Sequence, residues 1–148
     1  MEASPCAKLV ETPWLIPFIQ AIRSGVPAKP SELSLHLGVR TSLARIALWK
    51  LKKAGLLKGD KVPPEAVECL KELRTLGKRF VWRWGSNYFL VVTKRTRVAV
   101  HTIPANVVER VNSSRSGPTS VRELAQQLKL PPILVSRALR VLEVLDRT

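Results

Sequence analysis

The sequence predicts an α+β fold, mainly α, with a three-stranded antiparallel sheet flanked in the chain by helices. Three observations predict it. Apolar residues recur at helical spacing before Leu76 and after Pro104; between Phe80 and Ile103 the pattern changes to β-branched and aromatic residues cut by turn formers; and a stretch of the first helical region returns, without a gap, in the last. At 148 residues the chain is sized for one compact domain, or two small ones sharing a core.

In chain order, Met1 to Thr12 reads as a loose leader. Pro17 opens a helix in the first turn, where a missing N–H costs nothing, and "PFIQAIRSG" stops at Gly25. After the turn "VPAKP", Ser31 precedes a periodic stretch with Leu33, Leu37 and Val39, broken at Gly38. In "TSLARIALWKLKKAGLLKG", Ala44, Ala47, Leu48 and Leu51 form an apolar stripe, with Thr41, Ser42, Arg45, Lys52 and Lys53 on other faces, and Gly55 ends the helix. "VPPEAVECLKELRTLGK" predicts a helix from Pro64 to Leu76, with Gly77 at its exit. Three strands follow, turning at Gly85-Ser86-Asn87 and around Lys94-Arg95-Thr96; a three-residue first loop sets Trp84 opposite Tyr88 and Trp82 opposite Leu90. Helical pattern resumes at Pro104 and runs across the loop "SSRSGPTS" to the end. The segments are therefore 1–12, 13–62, 63–103 and 104–148.

The internal repeat sets "KPSELSLHLGVRTSLARIALWKL" over "SVRELAQQLKLPPILVSRALRVL", with Glu32 on Glu123, Leu33 on Leu124, Ala47 on Ala138 and Leu51 on Leu142. The shared positions are those that let two helices pack across a tight turn, so both copies should share a backbone shape.

The charge limits the partners. Twenty-five Lys and Arg against 11 Asp and Glu give +14, and no carboxylate occurs from Leu33 to Gly59 or from Leu73 to Val108. Segregated positive charge draws phosphates and is screened by salt. Nucleic acid is therefore the expected partner, and a membrane is not, because no apolar run approaches a bilayer span and no basic amphipathic helix has an aromatic side. The opening residues lack a secretory pattern, so a cytoplasmic, DNA-associated protein is expected.

Both copies resemble the helix-turn-helix of the winged-helix DNA-binding superfamily, through "SEL..HLGV..S.A..AL.KLKKAGL" and, more loosely, "REL.QQLKL....VSRAL.VL". The resemblance covers most of 17–57 and of 107–145. It implies two helix-turn-helix units flanking the sheet, the second helix of each entering the major groove. In the first copy it assigns DNA contacts to Arg40, Thr41, Ser42 and Arg45, followed by Lys50, Lys52 and Lys53. In the second the matching residues are Pro131, Pro132, Ile133 and Leu134, which offer little to a base edge; that unit reads as scaffold or homodimer surface. A wing ordinarily follows the reading helix directly, whereas here the helix at Pro64 intervenes. Winged helices also serve as protein-interaction modules, which is a third functional class.

The aromatic stretch "RFVWRWGSNYFLVV" has two readings. Its rings are either the core of the sheet, or a platform on which single-stranded bases stack. In the second reading Trp82, Trp84, Tyr88 and Phe89 stack, and Arg79, Arg83, Lys94, Arg95 and Arg97 hold phosphates. In general shape this is similar to the ThermoDBP-type single-stranded DNA-binding proteins of archaea, which join a helical domain to an aromatic, basic cleft and a pairing C-terminal helix. Low Asn, Gln and Met usage is consistent with a hyperthermophile source.

Catalytic constellations are not apparent. His36 and His101 stand alone, and the carboxylates are scattered. Cys6 and Cys69 read as plain small side chains, too few for a zinc site, so neither a metal nor a cofactor is expected. The expectation is a non-enzymatic DNA-binding protein that docks its first unit on duplex DNA in a regulatory or chromatin-associated role. The alternative is sequence-tolerant single-stranded DNA binding by the sheet, in replication or repair.

Overall fold

A computed structural model describes residues 4–115 and 120–148, so Ser116 to Thr119 of the expected loop "SSRSGPTS", and the first three residues of the expected leader, lie outside the described residues. The fold is α+β, with a four-stranded antiparallel sheet in the order β1-β2-β3-β4. The chain divides into two compact units, Met1–Leu73 with Val91–Val100, and Arg74–Leu90 with His101–Thr148.

In the first unit the expected leader is a helix, α1 (Pro5–Glu11). Ser4 caps it, its hydroxyl accepting from the Ala7 N–H at 3.3 Å, and Pro5 sits where its missing N–H is harmless. Seven residues are too few to hold a helix alone. Tertiary contacts supply the difference: Leu9 is fully buried, Lys8 Nζ donates to the Ala54 carbonyl at 2.6 Å, and Cys6 is disulfide-bonded to Cys69. The two cysteines are thus a covalent clip, not plain small side chains. A single 3-10 turn (Pro13–Leu15) leads into α2 (Ile16–Arg23), whose Phe18 and Ile19 anchor the core. Next come α3 (Pro30–Leu37) and α4 (Thr41–Lys53), packed on each other, and α5 (Pro64–Cys69), packed on α1.

The helix expected from Pro64 to Leu76 ends early. After α5 the chain extends into β1 (Arg74–Leu76), which pairs antiparallel with β2 (Arg79–Trp84), Thr75 facing Phe80 and Leu76 facing Arg79. The sheet therefore has four strands where three were expected. The ambiguous residue is Gly77, with φ at +60°. A left-handed glycine suits a helix exit and the first position of a two-residue hairpin turn equally, and here strand pairing prevails.

The β2–β3 loop is also tighter than expected. β3 (Asn87–Thr93) begins directly after Gly85-Ser86, with Gly85 at φ +60°. This one-residue shift changes which side chains meet: Trp82 packs on Phe89 with ring centroids 5.7 Å apart, and the Arg83 guanidinium lies 5.5 Å from the centre of the Tyr88 ring. β4 (Val98–Pro104) is followed by α6 (Ala105–Ser114), α7 (Val121–Leu128) and α8 (Pro132–Arg147). α6 and α7 pack on α8, which also covers β1 and β2. Trp82, Leu90, Ile103, Val111, Val135, Val141 and Val144 fill the core of this second unit.

The repeat is present in the backbone. α3 and α7 begin and end at equivalent positions, as do the starts of α4 and α8, and Gly38 and Lys129 take the same left-handed cap, at φ 69° and 56°. Lys129 is the one non-glycine described with positive φ. An L side chain costs about 1–2 kcal/mol there, partly offset in a Gly variant by a more flexible unfolded chain. Lys129→Gly is expected to raise stability by about 1 kcal/mol in denaturant titration, and Lys129→Val to lower it.

Candidate nucleic-acid interface

The candidate surface is in the first unit, on α4 and the hairpin tip between β3 and β4. A left-handed Gly38 closes α3, and the Ser34 hydroxyl donates to the Val39 carbonyl, fixing the three-residue turn into α4. Arg40 is the N-cap residue, in extended conformation, and no side chain caps the helix. Ala44, Ala47, Leu48 and Leu51 bury the inner face, so helical spacing leaves Thr41, Ser42, Arg45, Ile46, Trp49, Lys52 and Lys53 outside. That outer face contains no carboxylate, and neither does the first turn of α4, where the helix dipole is positive.

The hairpin tip is tied to this helix. The backbone N–H of Arg40 donates to the carbonyl of Arg95 at 2.8 Å, and the Lys94 N–H donates to the Arg97 carbonyl at 2.9 Å, closing the tip. Lys94, Arg95, Thr96 and Arg97 are all exposed. Arg40 and the tip cations Lys94, Arg95 and Arg97, separated by more than 50 positions in the chain, are therefore brought together in the first unit, and Arg45 follows about one turn along α4. The carboxylates in described ion pairs are Glu68, Glu143 and Asp146, and none engages any of these five cations.

Other expected site residues are elsewhere. Lys50 is half-buried towards the end of α4, and Lys52 and Lys53 are exposed in its last turn. Arg79 belongs to the second unit, where its guanidinium bonds Glu143 at 2.8 Å; it holds β2 to α8 and is committed to that carboxylate. Arg83 is exposed beside Tyr88, which is half-buried. Two of the four rings expected to stack bases are withdrawn from solvent. Trp82 is fully buried and Phe89 is 7% exposed, the two packed on each other, so neither presents a ring face to solvent. Trp84 is exposed at the hairpin end and stacks on Trp82 at 5.7 Å.

Sequence reasoning missed Trp49. It is 57% exposed in the middle of the outer face of α4, with Ile46, 50% exposed, one turn before it and the Lys53 ammonium 4.8 Å from its ring centre. The signal was available: Trp49 falls outside the stripe defined by Ala44, Ala47, Leu48 and Leu51.

Among the described residues no cluster of three His, Cys, Asp or Glu side chains could hold a metal ion, and no helix is long and apolar enough to cross a membrane. No protein-family model, curated protein or solved structure matches this chain, so its own residues must carry any assignment.

Proposed function

We propose that the protein is a non-enzymatic DNA-binding protein that docks α3 and α4 as a helix-turn-helix on duplex DNA. The N-terminal half of α4 enters the major groove, where Arg45, Thr41 and Ser42 face base edges and phosphates, and the β3–β4 tip serves as the wing, laying Lys94, Arg95 and Arg97 along the backbone. The observation that carries this reading is the hydrogen bond from the Arg40 N–H to the Arg95 carbonyl. It joins the start of the reading helix to a basic hairpin tip despite the helix and strands that intervene in sequence. The second repeat, with Pro131, Pro132 and Ile133 exposed where the first has Arg40, Thr41 and Ser42, is a scaffold or homodimer surface. The role is regulatory or chromatin-associated and intracellular; a disulfide inside the cell fits a hyperthermophile source.

Burial of Trp82 and Phe89 favours duplex over single-strand binding by the sheet. The test is competition between blunt duplex and single-stranded DNA of the same sequence at two salt concentrations. Duplex should win, and five cations on phosphates give a slope of log K against log salt of about −4.5. Equal or tighter binding of the single strand, or affinity indifferent to salt, overturns the reading.

A further inference from the structure

Trp49 has no role in the duplex contacts just assigned, yet it is a large aromatic ring left open to solvent on a helix whose inner face is well filled. A single exposed apolar side chain is ordinary, but Trp49 stands one turn from exposed Ile46, and the two form an apolar patch among cations. Beside it, in the first unit, is a groove of about 420 Å³, walled by Leu15, Thr12, Lys50, Lys53 and the α1 residues Lys8 and Glu11. Its volume is within the range of sites that take a small molecule or a single nucleotide. The groove is built, not frayed: α1 is clipped by the Cys6–Cys69 bond, and Lys8 is engaged by the Ala54 carbonyl, so Lys8 acts as wall rather than free charge. Lys53 remains over the indole, without a carboxylate partner among the described residues.

An aromatic face with adjoining cations suits a stacked base and its phosphate, and does so for any base, because every base has a π face. Resting on the duplex reading above, we infer that Trp49 and this groove bind an unpaired nucleotide adjoining the duplex, making tailed or partly opened DNA the preferred substrate. Trp49 follows Thr41 by eight residues, about 12 Å along the helix, a distance an unpaired strand crosses in a few nucleotides. Lys53 and Lys50 then meet the phosphates of the tail while the indole takes the base.

The test uses the full chain and three ligands: a blunt hairpin duplex, the same hairpin with a short oligo-thymidine tail at either end, and the tail strand alone. One of the tails is expected to tighten binding about tenfold over the blunt hairpin, as one base stacked on an aromatic ring should. Trp49→Ala should erase that advantage and leave blunt-hairpin affinity unchanged, and Trp49→Phe should keep part of it. Since Trp49 is exposed, its removal leaves no cavity, and retention of blunt-hairpin binding shows that the variant is folded. Equal affinity for blunt and tailed hairpins, or a tail advantage that survives Trp49→Ala, overturns the inference while leaving the duplex reading intact. Failure of every hairpin to bind overturns the duplex reading first. A tail strand that binds alone as tightly as the tailed hairpin overturns the need for an adjoining duplex.

Discussion

Replacing Cys6 and Cys69 together by Ser is expected to destabilise the protein by about 4 kcal/mol and to lower its melting temperature by about 10 °C. The bonded cysteines are 63 positions apart in sequence, and constraint of the unfolded chain grows with loop length. It also works on a weak element. α1 has seven residues and one side-chain cap, so without the bond it is held by non-covalent contacts alone: Leu9 burial, the Lys8 hydrogen bond and packing on α5. Excess reductant should bring the wild type down to the melting temperature of the double variant and leave that variant unmoved. If neither the substitutions nor reductant shifts the transition, the two sulfurs do not bond in solution. Because α1 also walls the groove beside Trp49, reduction should diminish the advantage of tailed DNA before it affects blunt duplex.

What could be read from sequence was what local chemistry decides. α2, α3, α4 and α8 have Pro at or near their starts or left-handed residues at their ends, and apolar stripes at helical spacing. The repeat predicted a shared backbone, and the structure places the left-handed caps at Gly38 and Lys129 in equivalent positions. What failed were choices made by tertiary contacts. Glu72 to Leu76 has the composition of a helix, but Arg74–Leu76 gains a partner strand, and pairing outweighs a propensity difference of a few tenths of a kcal/mol per residue. Ser4-Pro5 is a helix start that was legible, yet α1 depends on a partner more than sixty residues away. The β2–β3 loop could hold two residues or three with the same Gly85, and that single residue decided whether Trp82 met Leu90 or Phe89. For the site, the cations were legible as a charge excess, whereas the contact between Arg40 and Arg95 was not. Backbone hydrogen bonds between distant loops carry no residue signature.

The second large effect concerns side chains on the two elements which that contact joins. Arg45→Ala and Arg95→Ala are each expected to weaken duplex binding about tenfold, and the double variant about a hundredfold. The two arginines stand on different elements, one on α4 and one at the hairpin tip, so their losses should add. Their signatures should differ. On the proposed docking, in which Arg45 meets base edges and Arg95 the backbone, removing Arg45 should relax sequence preference, while removing Arg95 should weaken all sequences alike and flatten the salt dependence by about one unit of slope. Arg115→Ala is the control, since that guanidinium is occupied by Asp146 at 2.7 Å in the second unit and should leave affinity nearly unchanged. Titration of each variant against labelled duplex at two salt concentrations separates these outcomes. Should the double variant bind as well as wild type while Arg83→Ala loses affinity, the reader is the sheet and not α4. A basic hairpin tip fastened to the start of a helix with no acidic residue in its first turn makes the opposite result the expected one.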